Sequence, residues 1–263
     1  MITWRLEGRG HNMKTIILVG GAGTIGQVLA KHLATEYNVR ILDQKNPNLK
    51  HSNIEYVETD ALNKEDLLSN IPPNAAALFN LLNTNTHNSL EEEQFEHMTN
   101  IFFRSSFYVL QAAVEKKIPK VVFASSNHVT DFYEEEGHSI LGREITTEDI
   151  PKSKGLYGVL KFASEQLGFL FSEHKQLSVI NLRIGTFPKE TPKEAILKHS
   201  RVQHTLLAEQ DLVQLFRLAL KSNRKHGTYY AVSDNEGKPW STQTATDDLH
   251  YRSLFNAQDV LDK

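Results

Sequence analysis

Cysteine is absent from the 263-residue chain. That excludes disulfides, thiolate metal ligands and a cysteine nucleophile together, and it agrees with a reducing compartment, so the cytoplasm is the expected location. Long hydrophobic runs are also missing, since no apolar stretch approaches the roughly 20 residues of a membrane span. The first twelve residues carry Trp4, Arg5 and Arg9 but no apolar h-region, which excludes a secretory signal there. Neither sign of charge dominates: 29 basic against 32 acidic residues argue against a nucleic-acid footprint. The twelve histidines include no His-x-x-x-His pair around an acid, and His87 and His97 lie ten apart, so no metal site is expected. No internal repeat and no Gly/Ser-rich or Pro-rich linker divides the chain.

What is present is an alternation of strand and helix patterns. Thr15–Val19 is a continuous apolar run ending in glycines, as in a strand buried on both faces. A helical stretch follows to about Tyr37. Strands are then predicted at Val39–Asp43, Ile54–Glu58, Ala75–Leu82, Lys120–Ser125 and Ser178–Leu182. Helices are predicted from about Leu90 to Lys117 and from near Leu156. This order implies an α/β fold, a Rossmann-like doubly wound parallel sheet. After Gly185 the pattern weakens into a loop with Pro188 and Pro192, a helix over Asp211–Ser222 and a run at Thr228–Val232. We therefore expect an N-terminal extension at 1–13 outside the ordered fold, a nucleotide-binding domain at 14–185, and a small C-terminal substrate cap at 186–263, some of whose strands or helices return to the main domain.

Gly20-Gly-Ala-Gly-Thr-Ile-Gly26 joins the first strand to the first helix and satisfies G-x-G-x-x-G from Gly21. Such a turn lets a pyrophosphate approach the backbone and rest on a helix N-terminus. Asp43 lies 22 residues beyond Gly21, near the spacing of an acid that binds the adenosine ribose. It would repel a 2′-phosphate, which favours NAD over NADP, although Arg40 and Lys45 stand nearby. Asp60, in Glu58-Thr-Asp-Ala61, is either an adenine contact or a loop aspartate.

Tyr157 and Lys161 are four apart on a predicted helix, hence on one face. A phenol with a pKa of about 10 is a weak base at neutral pH, and a nearby ammonium favours its ionised form. Ser125-Ser126 closes the fifth strand at the edge where such sheets bind ligands. A hydroxyl there serves either as a cap or as a partner for a substrate alcohol.

As an ordered set, the glycine turn, Asp43, Asp60, Ser125-Ser-x-x-Val129, Tyr157/Lys161 and Leu182-Arg183 resemble the extended short-chain dehydrogenase/reductase (NAD-dependent epimerase/dehydratase) superfamily. The resemblance covers residue 14 to about residue 190. It implies that Tyr157 is the general base or acid, that Lys161 also holds the nicotinamide ribose, and that Ser126 orients substrate. Gly20, Gly23, Thr24, Ile25, Gly26, Asp43, Asp60, Ala61 and Leu81 would then join Tyr157 and Lys161 around the cofactor. Within the superfamily, Ala124-Ser-Ser-Asn-His-Val129, Gly155–Lys161 and Arg183-Ile-Gly-Thr186 look like the uronate dehydrogenases. That likeness implies oxidation of a small sugar or sugar acid, uronate to aldarolactone, with Asn85, Ser126, Asn127, His128, Thr186 and Arg201 at the substrate. Arg201 would take its carboxylate, for which a guanidinium is well shaped.

The chain departs from those enzymes where Leu82-Asn83 replaces a glycine pair, where Asn85 replaces a serine, and where Leu160 precedes the lysine. Its Glu134-Glu-Glu136 run is expected to be a solvated loop. The alternatives are a nucleotide-sugar epimerase or dehydratase on the same scaffold and a non-catalytic cofactor-binding regulator. About 75 residues after Gly185 suit a small substrate better than a nucleotide sugar. A homo-oligomer formed through the long helices is also expected, and Phe102-Phe103 and Phe107-Tyr108 suit either that interface or the sheet.

Overall fold

The computed structural model describes residues 13–86 and 90–261. The extension expected at 1–13 lies outside the described residues apart from Met13, as does His87.

The chain opens with β1 (Thr15–Val19), α1 (Thr24–Leu33), β2 (Asn38–Asp43), β3 (Ile54–Glu58), α2 (Lys64–Asn70) and β4 (Ala77–Asn80). The predicted long helix is three pieces: α3 (Glu92–Met98), a π-helical turn (Thr99–Arg104) and α4 (Ser105–Glu115). There follow β5 (Lys120–Ser126), a hairpin of β6 (Glu134–Glu135) and β7 (His138–Ser139), α5 (Leu156–Lys175) and β8 (Ser178–Ile184). The C-terminal part contains α6 (Pro192–Lys198), α7 (Val202–Thr205), α8 (Glu209–Lys221), β9 (His226–Ala231), α9 (Gln243–Leu249) and α10 (Gln258–Leu261).

Seven strands form one sheet in the order β3-β2-β1-β4-β5-β8-β9, with every pairing parallel. Parallel strands covered on both faces need apolar side chains on both faces, and β1 supplies them in alternation. Ile16 and Leu18 enter one core with Leu29 and Leu33 of α1, Leu212 and Phe216 of α8, and Leu249 of α9. Ile17 and Val19 enter the other with Leu67 of α2 and Val109 and Ala113 of α4. The chain order reverses between β1 and β4, the position at which doubly wound sheets open a crevice beyond their carboxyl ends.

The return of C-terminal elements to the main body is made by α8 and by β9. The apolar run at Thr228–Val232 belongs to this seventh strand, since Tyr229, Tyr230 and Ala231 are buried against β8 and the cores. No helix among the described residues is long and apolar enough to cross a membrane, and no group of three or more potential metal ligands occurs among them.

Candidate active site

The first wall of the crevice is the turn after β1. Gly20 has φ +76°, and a Cβ there would stand 2.8 Å from the Leu82 backbone nitrogen, so only glycine lets the turn lie this close to the end of β4. Gly23 then begins α1 with no side-chain cap, and no acid occupies the first turn containing Thr24, Ile25 and Gly26. The helix amides are left for an anion from elsewhere. Asp43, at the end of β2, accepts from the Ala22 amide at 3.0 Å and from the Lys45 amide at 3.0 Å. Its charge therefore sits beside the glycine turn. Arg40 is engaged with Glu55 at 2.8 Å and with the Asn70 carbonyl at 3.0 Å, while Lys45 is exposed. Asp60 receives the Leu62 amide at 2.9 Å, with Ala61 buried behind it. This cradle fits a dinucleotide bearing a free ribose diol.

The second wall is α5. Its start packs tightly on the turn after β5, because a Cβ on Gly158 would lie 2.0 Å from the His128 carbonyl oxygen. The helix presents Tyr157, Lys161 and Glu165 at successive four-residue intervals. Lys161 donates to the carbonyls of Ala124 at 2.9 Å and Leu82 at 3.3 Å, and its Nζ lies 4.8 Å from the Phe102 ring centre and 5.6 Å from that of Tyr157. Burial pushes this ammonium down to about 8, against the pull of Glu165. Phe102 comes from the π-helical turn and meets Tyr157 edge-on at 5.1 Å. Its carbonyl accepts the hydroxyls of Ser106 at 2.5 Å and Ser164 at 2.7 Å. A π turn of this kind re-aims a helix locally, often beside a site.

The tyrosine–lysine spacing predicts that the ammonium lowers the phenol. In the structure, burial raises Tyr157 above an ordinary phenol, and the opposing downward pull comes from its hydrogen bond with Ser126. The ammonium donates instead to backbone carbonyls.

The strand-end residues converge on the same place. Ser126 Oγ donates to Asn127 Oδ1 at 3.2 Å and accepts the His128 amide at 3.2 Å. His128 meets the edge of Tyr157 at 5.5 Å, and its Nδ1 lies 2.7 Å from Asp131 Oδ2. Ser126, Asn127, His128 and Tyr157, together with Ile25, Leu81, Leu82, Asn83, Lys161, Thr186 and Arg201, line a cleft of about 300 Å³. Asn85 is exposed and outside that lining, where Asn83 stands instead.

The Glu134–Glu136 run corrects the expectation of a solvated loop. Glu135 and Glu136 are exposed, but Glu134 is buried. It accepts from Arg201 Nε at 3.0 and 3.1 Å, from Arg201 Nη2 at 2.7 Å and from the Gly137 amide at 2.6 Å. An acid this deep requires a partner, and Arg201, in the loop between α6 and α7, supplies it.

Sequence reasoning did not place Glu165, Phe102 or Asn83 at the site and missed the role of Glu134. Only Glu165 had a usable signal, its place four residues beyond Lys161. It accepts from Ser125 Oγ at 2.5 Å and is gripped by Arg183 at 3.0 and 2.8 Å.

A glycine turn at β1, an acid closing β2, and Ser126, Tyr157 and Lys161 around one cleft define an enzyme of the short-chain dehydrogenase/reductase type. The chain belongs to the NAD dependent epimerase/dehydratase family, whose sequence profile matches residues 16–190. It is 46% identical over 252 residues to the uncharacterized protein YtbQ of Bacillus subtilis, spanning 95% of this chain and 98% of that protein. It is 26% identical to the NAD-dependent glucose-6-phosphate dehydrogenase of Haloferax volcanii, over 92% of this chain and 94% of that one. Its fold superimposes on the crystal structure of uronate dehydrogenase from Agrobacterium tumefaciens with a TM-score of 0.80 at 20% identity, covering 95% of this chain and 88% of that one.

Proposed function

We propose that this protein is an NAD-dependent dehydrogenase that oxidises a small free sugar or sugar acid at its anomeric carbon, uronate to aldarolactone being the sugar-acid form of the reaction. The observation that carries the proposal is the convergence of Ser126, Tyr157 and Lys161 on a cleft of about 300 Å³, at the low end of the range for small-molecule sites. When bound, NAD supplies the acceptor for the hydride leaving C1. The chain does the rest. Ser126 and the ionised Tyr157 hold the anomeric hydroxyl, and Tyr157 Oη takes its proton as the C1–O bond becomes a carbonyl. The Lys161 ammonium, fixed by the Leu82 and Ala124 carbonyls, sets a positive charge beside the phenolate. The turn at Gly20–Gly26 and the α1 N-terminus would hold the pyrophosphate, and Asp43 the adenosine ribose.

Thr186 and Arg201, from the segment after Gly185, line the cleft, which supports reading that segment as a small substrate cap beside the 14–185 unit. A cytoplasmic location and a homo-oligomer belong to the same proposal; Phe107, Phe169 and Leu170 are exposed on α4 and α5, as a helix-mediated contact requires.

The test is reduction of NAD, followed by absorbance, with uronic acids, neutral aldoses and UDP-sugars. Reduction with a free sugar, lost in Tyr157→Phe, supports the proposal. Interconversion of UDP-sugars without reaction of free sugars would replace it with an epimerase. Cofactor binding without turnover would replace it with a regulator.

A further inference from the structure

We propose that Glu134 makes this site selective for a neutral aldose over a uronate; the inference rests on the sugar-dehydrogenase reading above and narrows its substrate class. Arg201 is the cation at the substrate end of the cleft, beside Thr186 and Ile184. A guanidinium binds a carboxylate best through two parallel N–H bonds. In this chain Nε and Nη2 are already given to Glu134, at 3.0 and 2.7 Å. What remains is the end-on edge, the second N–H of Nη2 with those of Nη1, on a guanidinium whose charge is already paired with Glu134. Nη1 reaches Thr186 Oγ1 at 3.4 Å, and Thr186 Oγ1 is itself 2.8 Å from Thr205 Oγ1. This is a set of hydrogen-bonding groups suited to a sugar hydroxyl.

The pair is built in rather than incidental. The Glu134 side chain is 5% exposed, against 31% for Arg201. Lys154 Nζ fixes the Glu134 carbonyl at 2.7 Å, and the Gly137 amide fixes its carboxylate. Trp240 lies under the guanidinium, 6.0 Å from ring centre to Cζ. Arg201 therefore cannot turn away from Glu134 without uncovering a buried charge.

The cleft's charges balance in the same sense. Arg201 is paired with Glu134, His128 is bonded to Asp131, and Lys161 feels the charge of Glu165. A substrate carboxylate at Arg201 would bring a second anion beside Glu134 in a partly desolvated site, and like charges so placed disfavour each other. A neutral sugar meets no such opposition. Glu134 thus acts through Arg201 as a specificity-determining residue.

The experiment uses the full chain with NAD. Neutral aldoses (galactose, glucose, arabinose) and uronates (galacturonate, glucuronate) are compared by initial rates in the wild-type protein and by calorimetric binding to Tyr157→Phe. Neutral aldoses are expected to exceed uronates at least tenfold in kcat/KM and to bind tighter. In Glu134→Gln the uronate-to-aldose ratio of kcat/KM should rise at least tenfold, which a purely structural role would not produce. A wild-type preference for uronates in rate and binding overturns the inference and leaves the dehydrogenase reading standing. An unchanged ratio in folded Glu134→Gln also overturns it. The wild-type comparison needs no variant, so the inference stays exposed if Glu134→Gln does not fold. Absence of both binding and turnover with every free sugar overturns the inference and the dehydrogenase reading together.

Discussion

Glu165 receives Arg183 through both carboxylate oxygens, at 3.0 and 2.8 Å, and both side chains are 3% exposed. The pair ties α5, which carries Tyr157 and Lys161, to β8. Its Oε1 also takes the Ser125 hydroxyl from β5, and Arg183 continues to the Tyr230 hydroxyl at 3.3 Å, which is 2.7 Å from Thr130 Oγ1. Removing one partner of a buried ion pair costs about 3–5 kcal/mol, because the other charge is left unpaired. Glu165→Gln should accordingly lower Tm by roughly 10 °C, at about 2–4 °C per kcal/mol for a chain near this size. Thermal unfolding followed by circular dichroism measures this, and a change within about 2 °C would show that the network adds little.

Ser126 is the group that draws the Tyr157 phenol down against burial. In the proposed reaction, oxidation requires the ionised phenol, so the rate should climb with pH along a limb set by Tyr157. Ser126→Ala removes the downward pull, raises the phenol further and should displace that limb to higher pH. Tyr157→Phe removes the proton acceptor and should cost about 10²–10⁴ in kcat. Initial-rate profiles of kcat against pH separate the two effects. If the Ser126→Ala limb coincides with that of the wild type, the serine does not tune the tyrosine.

The sheet was legible because β1 is a continuous apolar run closed by glycines and because extended apolar segments alternate with helical periods along most of the chain. The glycine turn and Asp43 were legible because their spacing is fixed by backbone geometry. Phe102 was not, since a π turn inside a helical pattern leaves no periodic mark. Nor was Glu134: an acidic triplet reads as solvated, and only the fold brings Arg201, 67 residues on, against its first member. The Thr228–Val232 run was legible as extended, but its place as a seventh strand depends on the pairing of β9 with β8.

Asp43 puts its charge beside the glycine turn, where a 2′-phosphate on the ribose would meet it. Asp43→Asn keeps an oxygen for the Ala22 amide but removes the charge. The ratio of kcat/KM for NADP to that for NAD should rise at least about tenfold, equivalent to about 1.4 kcal/mol. Arg40 stays engaged with Glu55, so the gain should come mainly from lost repulsion and weakened NAD binding. An unaltered ratio would mean that Asp43 serves only the turn.

Lys161 gives a pH signature in the protein without added cofactor. Its ammonium is held at about 8 in the fold, below the ordinary 10.5 of the unfolded chain. Below about pH 8 both states carry the proton, and the fold bears the full penalty of a buried charge. Between about 8 and 10.5 the unfolded chain binds more protons than the fold, so this group's contribution to stability rises with pH. Lys161→Met has no such titration. The wild-type stability minus that of the variant should therefore increase by up to about 3 kcal/mol between neutral pH and about pH 10.5, at 1.36 kcal/mol per unit. Urea unfolding of both proteins across that range reads the difference, and other titrating groups cancel between them. A flat difference would place the ammonium's ionisation at its ordinary value, so that Lys161 would remain a full positive charge beside Tyr157 throughout the alkaline range.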